Sequence, residues 1–132
     1  MNSNYKDVLA FNQKFGLPIP LTPQELAPGV FSYRLGFLKE ELAEFEDAET
    51  LAKQADALID LVYVAMGTAI LMGLPWEKLW NEVQRANMSK VRAKDQEESL
   101  QKTGRGHAYD VVKPENWTPP DIARILKEHT SE

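Results

Sequence analysis

The segment ADALIDLVYVAMGTAI, residues 55–70, is the part of the sequence that decides the fold. From Leu61 to Trp76 the chain carries no charge over 16 residues, so a helix here is apolar on nearly every side and must be buried nearly all round. Such a helix spans roughly 24 Å, which is short of the ~30 Å hydrocarbon core of a bilayer. Gly67 and Gly73 also interrupt it. We therefore expect a helix buried in protein, with no membrane partner.

The composition is that of one soluble globular domain over residues 1–132, because hydrophobic residues make up 43% and charged residues 27%. The absence of cysteine excludes disulfides, thiol catalysis and thiolate-bound metals. The net charge of -5 disfavours a generic nucleic-acid surface, so no nucleic-acid partner is expected. The N-terminal residues MNSNYKDVLAF show no targeting pattern. We expect a cytoplasmic location.

Apolar residues recur with a helical period along most of the chain. We predict an all-α, antiparallel bundle of four main helices, at residues 4–15, 29–48, 50–72 and 75–91, plus a short C-terminal helix with Thr118 as its N-cap. The second helix should bury a stripe formed by Phe31, Leu35, Leu38, Leu42 and Phe45. Residues 17–28 hold four prolines and should be extended, and residues 92–116 should form a long polar loop.

Two groups of carboxylates stand on the second and third predicted helices. Glu40, Glu41 and Glu44 lie within one turn of each other in EELAE, a pattern also typical of a solvated acidic face. Asp56 and Asp60 are one turn apart on the apolar helix, where a buried carboxylate needs a cation or hydrogen-bond donors. An arginine or a helix cap elsewhere in the chain could also supply those donors.

A short link near Thr50 joins these two helices, so they should pack antiparallel and bring Glu41 and Glu44 opposite Asp56 and Asp60. Hard oxygen ligands of this kind suit Mg²⁺, with Mn²⁺ as a substitute. Zinc and di-iron sites are disfavoured, because the only two histidines lie on neither helix. Protein-bound Mg²⁺ usually completes its shell with waters and substrate phosphates, which points to a phosphate ester or anhydride as substrate.

A basic residue that could hold phosphate follows on the fourth predicted helix. Asn87 and Lys90 are i and i+3 in EVQRANMSK and should share one helix face. Lysine is a compact charge suited to phosphate. The same pair is also typical of an ordinary polar helix end, where a lysine favours the C-terminal dipole.

These motifs, in this order, resemble the all-α nucleoside triphosphate pyrophosphohydrolases, the MazG-like and dimeric-dUTPase-like superfamily. EELAE is similar to that family's Glu-Glu-x-x-Glu motif, residues 55–70 to its second metal-binding helix, and EVQRANMSK to its Asn-x-x-Lys helix. AFN at residues 10–12 resembles its first-helix Phe-His/Asn element, and VVKPENWTPPDI its C-terminal Lys-Pro-x-x-Trp-x-Pro segment. One position differs, since many members carry Glu where this chain has Ala57, so that Asp56 would have to serve as the ligand.

The resemblance implies Mg²⁺-dependent hydrolysis of a (d)NTP to the monophosphate and pyrophosphate, by attack of water at the α-phosphorus. Phe11 could also lie near the base, but an aromatic at helical spacing is as readily a core residue. The site residues that we predict are the catalytic Glu40 and Glu41, the metal ligands Glu41, Glu44, Asp56 and Asp60, and the substrate-binding Asn12, Asn87, Lys90, Lys113 and Trp117.

Two alternatives stay open. A phosphoribosyl-ATP pyrophosphohydrolase uses the same carboxylate scheme, although that family tends to have Tyr-His where this chain has Tyr63 and Val64. A non-catalytic helical dimerisation module would use the carboxylates only as surface.

We expect a homodimer or homotetramer, because one chain supplies too few helices to cover the apolar third helix and leftover apolar surface marks an interface. Folding of the proline-rich segment 17–28 over that face would remove the need for a partner.

Overall fold

The structure is a computed structural model that describes residues 3–130. Within that range the chain is predominantly helical and has one two-stranded sheet, which confirms the predicted all-α class. The elements are α1 (Ser3–Lys14), α2 (Pro28–Asp47), α3 (Leu51–Leu71), α4 (Trp76–Met88), β1 (Val91–Arg92), α5 (Gln96–Thr103), β2 (Val111–Val112) and α6 (Ile122–Thr130).

The chain divides into two compact units. The first comprises the residues up to Trp76 together with those from Leu126 onward, and the second comprises Glu77–Ile125. By sequence, residues 77–125 hold nine Lys and Arg against eight Asp and Glu, whereas the rest of the chain holds six against twelve. The acidic excess of the protein therefore belongs to the first unit.

Helices α2 and α3 are joined by three residues and run antiparallel. Thr50 begins α3 as its N-cap, because its hydroxyl accepts a hydrogen bond from the backbone nitrogen of Lys53 at 3.2 Å. Arg34 of α2 reaches Thr68 of α3, and Glu41, farther along α2, lies near Asp60, earlier in α3. The two carboxylate motifs consequently face one another.

The core of the first unit lies between α1 and α3. Val8, Met66 and Ile70 form its centre. The proline-rich segment lies against the C-terminal end of α3, where Gln24 donates its backbone N–H to the carbonyl of Met72 at 2.9 Å. Gly73 has a φ of +63°, and the Pro20 and Thr22 carbonyls leave no room there for a side chain.

The predicted apolar stripe of α2 is mostly exposed, contrary to our expectation. Phe31 and Leu42 are each 54% exposed, and the two buried residues of α2 are Arg34 and Glu41. The face of α2 that meets α3 is therefore polar at two positions, and a largely apolar face points away from the core of this unit.

Among residues 3–130, α3 is the single helix long and apolar enough to cross a membrane by length and composition. A core helix of a soluble protein passes the same test. Only 33% of its apolar window is buried. The chain by itself thus leaves much of this helix uncovered.

Three details of the predicted fold are wrong in the second unit. The expected loop at 92–116 contains α5 and the strand β2, which pairs antiparallel with β1 through Val91–Val112 and Arg92–Val111. The fourth predicted helix is too long, since α4 ends at Met88.

The C-terminal helix begins at Ile122, so Thr118 is not its N-cap. The Thr118 hydroxyl accepts a hydrogen bond from Arg85 Nη1 at 3.2 Å, and the Asp121 carboxylate accepts from the Arg124 backbone at 3.3 Å. The prediction failed because Thr-Pro-Pro matches an N-cap pattern, whereas Asp121 supplies the acceptor one residue before the helix.

Candidate functional site

Three carboxylates from α2 and α3 meet in the first unit. Glu41, Glu44 and Asp60, here called the carboxylate cluster, each offer an oxygen, and these oxygens all lie within 4.8 Å of one another. Glu41 is 7% exposed, and its Oε2 atom is buried without a hydrogen-bond partner. A buried carboxylate oxygen without a donor is costly, so the cluster fits a bound cation.

The electrostatics of Glu41 agree with that geometry. Burial raises the pKa of Glu41 above its ordinary value, and repulsion by Glu44, Asp60 and Glu40 raises it further. A divalent cation would remove both penalties, because it replaces the lost solvation and neutralises the repelling charges. Carboxylate oxygens are the ligands that Mg²⁺ prefers, and the residues present therefore fit this ion.

Two further predicted site residues lie beside the cluster and outside it. Glu40 and Asp56 line a cavity of about 450 Å³ together with Glu44 and Lys53. Asp56 is exposed, whereas Ala57 is buried. The structure thus brings three of the four predicted metal ligands together and leaves Asp56 on the neighbouring wall.

Asn12 lines a separate small cavity of about 80 Å³ between α1, α2 and α3, here called the inner pocket. Its side chain is only 2% exposed, and its Nδ2 atom has no hydrogen-bond partner. Phe11 lies in the same wall and is half-exposed, and its ring meets Tyr63 edge-on at 5.6 Å. Phe11 therefore lies outside the buried core.

Arg34 also lines the inner pocket, and our sequence analysis missed it. It is 9% exposed, and it donates from Nε to the Thr68 hydroxyl at 3.0 Å and from Nη2 to the Val64 carbonyl at 2.9 Å. Burial lowers the pKa of Arg34 from its usual value, and Tyr33 partly offsets this effect. The sequence contains a signal for this position, because Arg34 lies seven residues before Glu41 and so shares the helix face that meets α3.

The basic residues that we predicted lie in the second unit. Lys90 and Lys113 line a cavity of about 470 Å³, here called the basic cavity. Lys102 and Arg105 line the same cavity. Asn87 is exposed near the end of α4, and Lys90 lies beyond that helix, so the two do not form the helical pair that we expected. Lys102 and Arg105 were missed because they fall in the segment predicted to be a loop.

Trp117 has a local partner in the same unit. Its indole N–H donates to the Ala86 carbonyl at 2.7 Å, which fastens the C-terminal segment to α4. The ammonium groups of Lys113 and Lys90 lie 4.7 Å and 5.6 Å from the centre of its ring. Trp117 thus positions two lysines of the basic cavity, and a contact with nucleotide stays a prediction.

Comparison with known families supplies a match over the helices that carry the cluster. The model of the phosphoribosyl-ATP pyrophosphohydrolase family matches residues 8–87, which is more than half of the chain. No individually curated protein matches the chain. The matched segment contains the carboxylate cluster and the inner pocket but not the basic cavity. This chain therefore belongs to the phosphoribosyl-ATP pyrophosphohydrolase family, within the MazG-like superfamily of pyrophosphohydrolases.

Proposed function

We propose that the protein is a Mg²⁺-dependent enzyme that hydrolyses a (deoxy)nucleoside triphosphate to the monophosphate and pyrophosphate. Family membership supports nucleotide pyrophosphohydrolase activity, without naming the nucleotide. The observation that carries the proposal is the carboxylate cluster, in which a buried Glu41 oxygen has no protein donor. Such a cluster is suited to holding a metal against phosphate oxygens.

The carboxylate cluster would hold the metal, with Asp56 as a further ligand if its side chain turns inward. Mg²⁺ bound there would polarise a phosphoryl oxygen, lower the pKa of bound water and neutralise developing charge. Glu40 lies on the adjacent wall, outside the cluster, so we assign it as the general base that takes a proton from water.

The remaining predicted residues would bind the substrate. Lys90 and Lys113 carry positive charge suited to the phosphate chain, and Asn87 would assist them with an amide. Asn12 would contact the base, since its buried amide nitrogen has no partner. Trp117 would lie near the base or sugar.

Phosphoribosyl-ATP is the second candidate substrate, and the family match favours it by name. The same carboxylates would hold the metal while water attacks its anhydride bond. Val64 disfavours this substrate, because that family tends to have histidine at this position. Val64 is buried in the structure, and its carbonyl accepts the Arg34 hydrogen bond.

The test is a screen for pyrophosphate release from the standard ribo- and deoxyribonucleoside triphosphates and from phosphoribosyl-ATP, with and without Mg²⁺. We expect Mg²⁺-dependent release of pyrophosphate and monophosphate from at least one (d)NTP. Turnover of phosphoribosyl-ATP alone would establish the second candidate. No turnover, together with no thermal stabilisation by millimolar Mg²⁺, would instead favour a non-catalytic module.

A further inference from the structure

Two polar side chains in the inner pocket have hydrogen-bonding capacity that the protein leaves unused. The hydrogen bonds of Arg34 to Thr68 and to the Val64 carbonyl use two of its five N–H donors, and Tyr33 takes at most one more. Among residues 3–130, no carboxylate lies within 4.0 Å of its guanidinium. The amide nitrogen of Asn12, in the same pocket, has no partner. The buried amide nitrogen of Asn12 is costly without a partner, and the guanidinium of Arg34 lines the same pocket, so the pocket favours a ligand that accepts hydrogen bonds.

The position of the pocket indicates which part of a ligand would reach it. Arg34 lies two helical turns before Glu41 on the same face of α2, roughly 10 Å away at 1.5 Å per residue. Gly67 lies the same distance after Asp60 on α3, and it also lines the pocket. The facing surfaces of α2 and α3 therefore carry the carboxylate cluster and, two turns away, the inner pocket. A nucleotide with its phosphates at the cluster and its base along these surfaces would direct the base toward the pocket.

The walls of the pocket suit the flat edge of a base. Tyr63 and Phe11 meet edge-on at 5.6 Å, and the Arg34 guanidinium lies 5.3 Å from the centre of the Phe37 ring. The cavity is about 80 Å³, which is enough for the edge of an aromatic ring and its substituent rather than for a whole nucleoside. Entry of a base edge would place its exocyclic group against Arg34 and Asn12.

We propose that Arg34, assisted by Asn12, is a specificity-determining residue that reads the keto edge of the base. The proposal rests on the proposed function, because it takes the ligand to be a nucleotide. At C4 of uracil and thymine and at C6 of guanine stands a carbonyl oxygen that accepts hydrogen bonds, whereas cytosine and adenine carry an amino donor at the same positions. A donor facing a buried guanidinium leaves both groups unpaired, and sites built on hydrogen bonds discriminate strongly for this reason.

Gly67 gives an independent way to move the guanidinium without removing its charge. A Cβ atom at Gly67 would lie 2.9 Å from Arg34 Nη2, the far end of a flexible side chain. An alanine there would displace the guanidinium, while the Gly67 backbone, inside α3, accepts an alanine readily. Gly67→Ala should therefore change base selection while keeping the charge of Arg34, at the cost of its hydrogen bond to the Val64 carbonyl.

The test compares kcat/KM for dUTP against dCTP, and for dGTP against dATP, at saturating Mg²⁺. We expect the wild-type protein to prefer the keto base of each pair, and Arg34→Met to reduce each preference roughly 10- to 100-fold. Gly67→Ala should also reduce it, and Arg34→Lys should retain part of it. Lys39→Met is the control, because Lys39 is an exposed residue of α2 outside the pocket, and it should leave the ratios unchanged.

An equal loss on all four nucleotides would overturn the proposal, because it would show that Arg34 only fastens α2 to α3. A wild-type preference for dCTP and dATP would overturn it as well. If Arg34→Met does not fold, the nucleotide preferences of Gly67→Ala and Arg34→Lys test the proposal in its place.

Binding of the monophosphates separates this proposal from the proposed function. Calorimetry of dUMP and dCMP, with wild-type protein and Arg34→Lys, needs no turnover. If no (d)NTP is hydrolysed but dUMP binds more tightly than dCMP in an Arg34-dependent way, the function fails and this inference stands. If (d)NTPs are hydrolysed but the two monophosphates bind equally in both proteins, the function stands and this inference fails.

Discussion

Glu41 is buried among other carboxylates, and its chemistry depends on what neutralises them. Its Oε2 atom has no donor, and burial and neighbouring charge raise the pKa of the group. Mutual repulsion is therefore a property of the metal-free protein. A cation relieves it, and so does removal of one charge from the cluster.

Asp60→Asn should remove activity and leave the fold intact. We expect kcat/KM to fall by more than about 100-fold, since even changes outside the ligand set commonly cost roughly 10- to 100-fold. Without metal the variant should melt at a higher temperature than the wild type, because one repelling charge is gone. Stabilisation by Mg²⁺ should be lost in the same variant.

Glu46→Gln is the matched control, because Glu46 is an exposed carboxylate of α2 that lies outside both the cluster and the neighbouring cavity. It should retain activity and Mg²⁺ stabilisation. Asp56→Asn, measured beside it, tests whether the exposed Asp56 acts as a ligand. Wild-type turnover by Asp60→Asn at saturating Mg²⁺ would contradict the assignment of Asp60 as a metal ligand.

Lys90→Ala should weaken phosphate binding. Lys90 lies in the basic cavity over the ring of Trp117. Loss of a charged hydrogen bond to phosphate corresponds to about 1.5–3 kcal/mol, so kcat/KM should fall roughly 10- to 100-fold. Lys78→Ala, an exposed lysine of α4 outside the cavity, is the control for net charge. A change in thermal stability without a change in kcat/KM would make Lys90 a structural residue only.

At the scale of elements, the long apolar helix was predictable and the short polar one was not. Helix α3 has a continuous apolar signal, a threonine cap and a terminal glycine, and its observed bounds differ from the predicted ones by one residue at each end. Helix α5 reads QEESLQKT and has one apolar residue, Leu100, so periodicity could not reveal it. Its capping signal was present, because Asp95 accepts from the Glu98 backbone at 2.8 Å while Glu98 accepts from the Lys94 backbone at 2.9 Å.

The candidate site was predictable where one helix face sets the geometry, as it does for Glu41, Glu44 and Asp60. Asp56 lies one turn before Asp60, but spacing alone does not fix which rotation α3 adopts against α2. Arg34 was missed because an arginine in a helix is usually exposed. Its burial depends on the tertiary contact with Thr68 and on the space left at Gly67.

Asp110 organises the segment formed by α5 and the two-stranded sheet β1–β2. Its carboxylate accepts from the hydroxyls of Ser99 and Thr103, each at 2.7 Å, and from Arg105 Nη2 at 2.7 Å. The hydrogen bond from Arg105, followed by the hydroxyl hydrogen bonds, holds the pKa of Asp110 far below its ordinary value of 3.8. These contacts position Arg105 and Thr103 in the wall of the basic cavity.

Asp110→Asn should destabilise the protein at neutral pH and progressively less in acid. A lowered carboxyl pKa contributes stability above the unfolded pKa, and that contribution is lost as pH falls from about 4 toward the folded pKa. The melting temperature of the variant should lie below that of the wild type at pH 7, and the gap should narrow between pH 5 and about 2. Glu115→Gln, at an exposed carboxylate, should show no such gap. A gap that stays constant over this range would show that the hydroxyl hydrogen bonds, not the charge, stabilise the segment formed by α5 and the sheet.

At the scale of the whole molecule, the single chain leaves two helices with uncovered apolar faces. Phe31 and Leu42 of α2 are exposed, as are Leu58, Ile59 and Val62 of α3. The proline-rich segment packs Ile19 against the core formed with Met66 and Ile70 and meets Met72 and Gly73, all in the C-terminal half of α3. It leaves Leu58, Ile59 and Val62 exposed. The alternative by which this segment seals α3 is therefore not supported.

We predict that the protein is an obligate homo-oligomer, a dimer or a dimer of dimers, with these apolar faces in contact. Obligate interfaces resemble a divided core, and two-fold symmetry is the commonest solution. Ile59, which is 67% exposed, should lie in the interface, so Ile59→Glu should dissociate the oligomer and lower its melting temperature. Leu100→Glu is the control, because Leu100 is similarly apolar and exposed but lies on the polar helix α5. Two measurements test this prediction. Light scattering at low micromolar concentration measures the mass of each protein, and co-sedimentation with lipid vesicles tests whether a bilayer covers α3 instead. A fully active wild-type species of 15.0 kDa would contradict the prediction, since that is the mass of one chain.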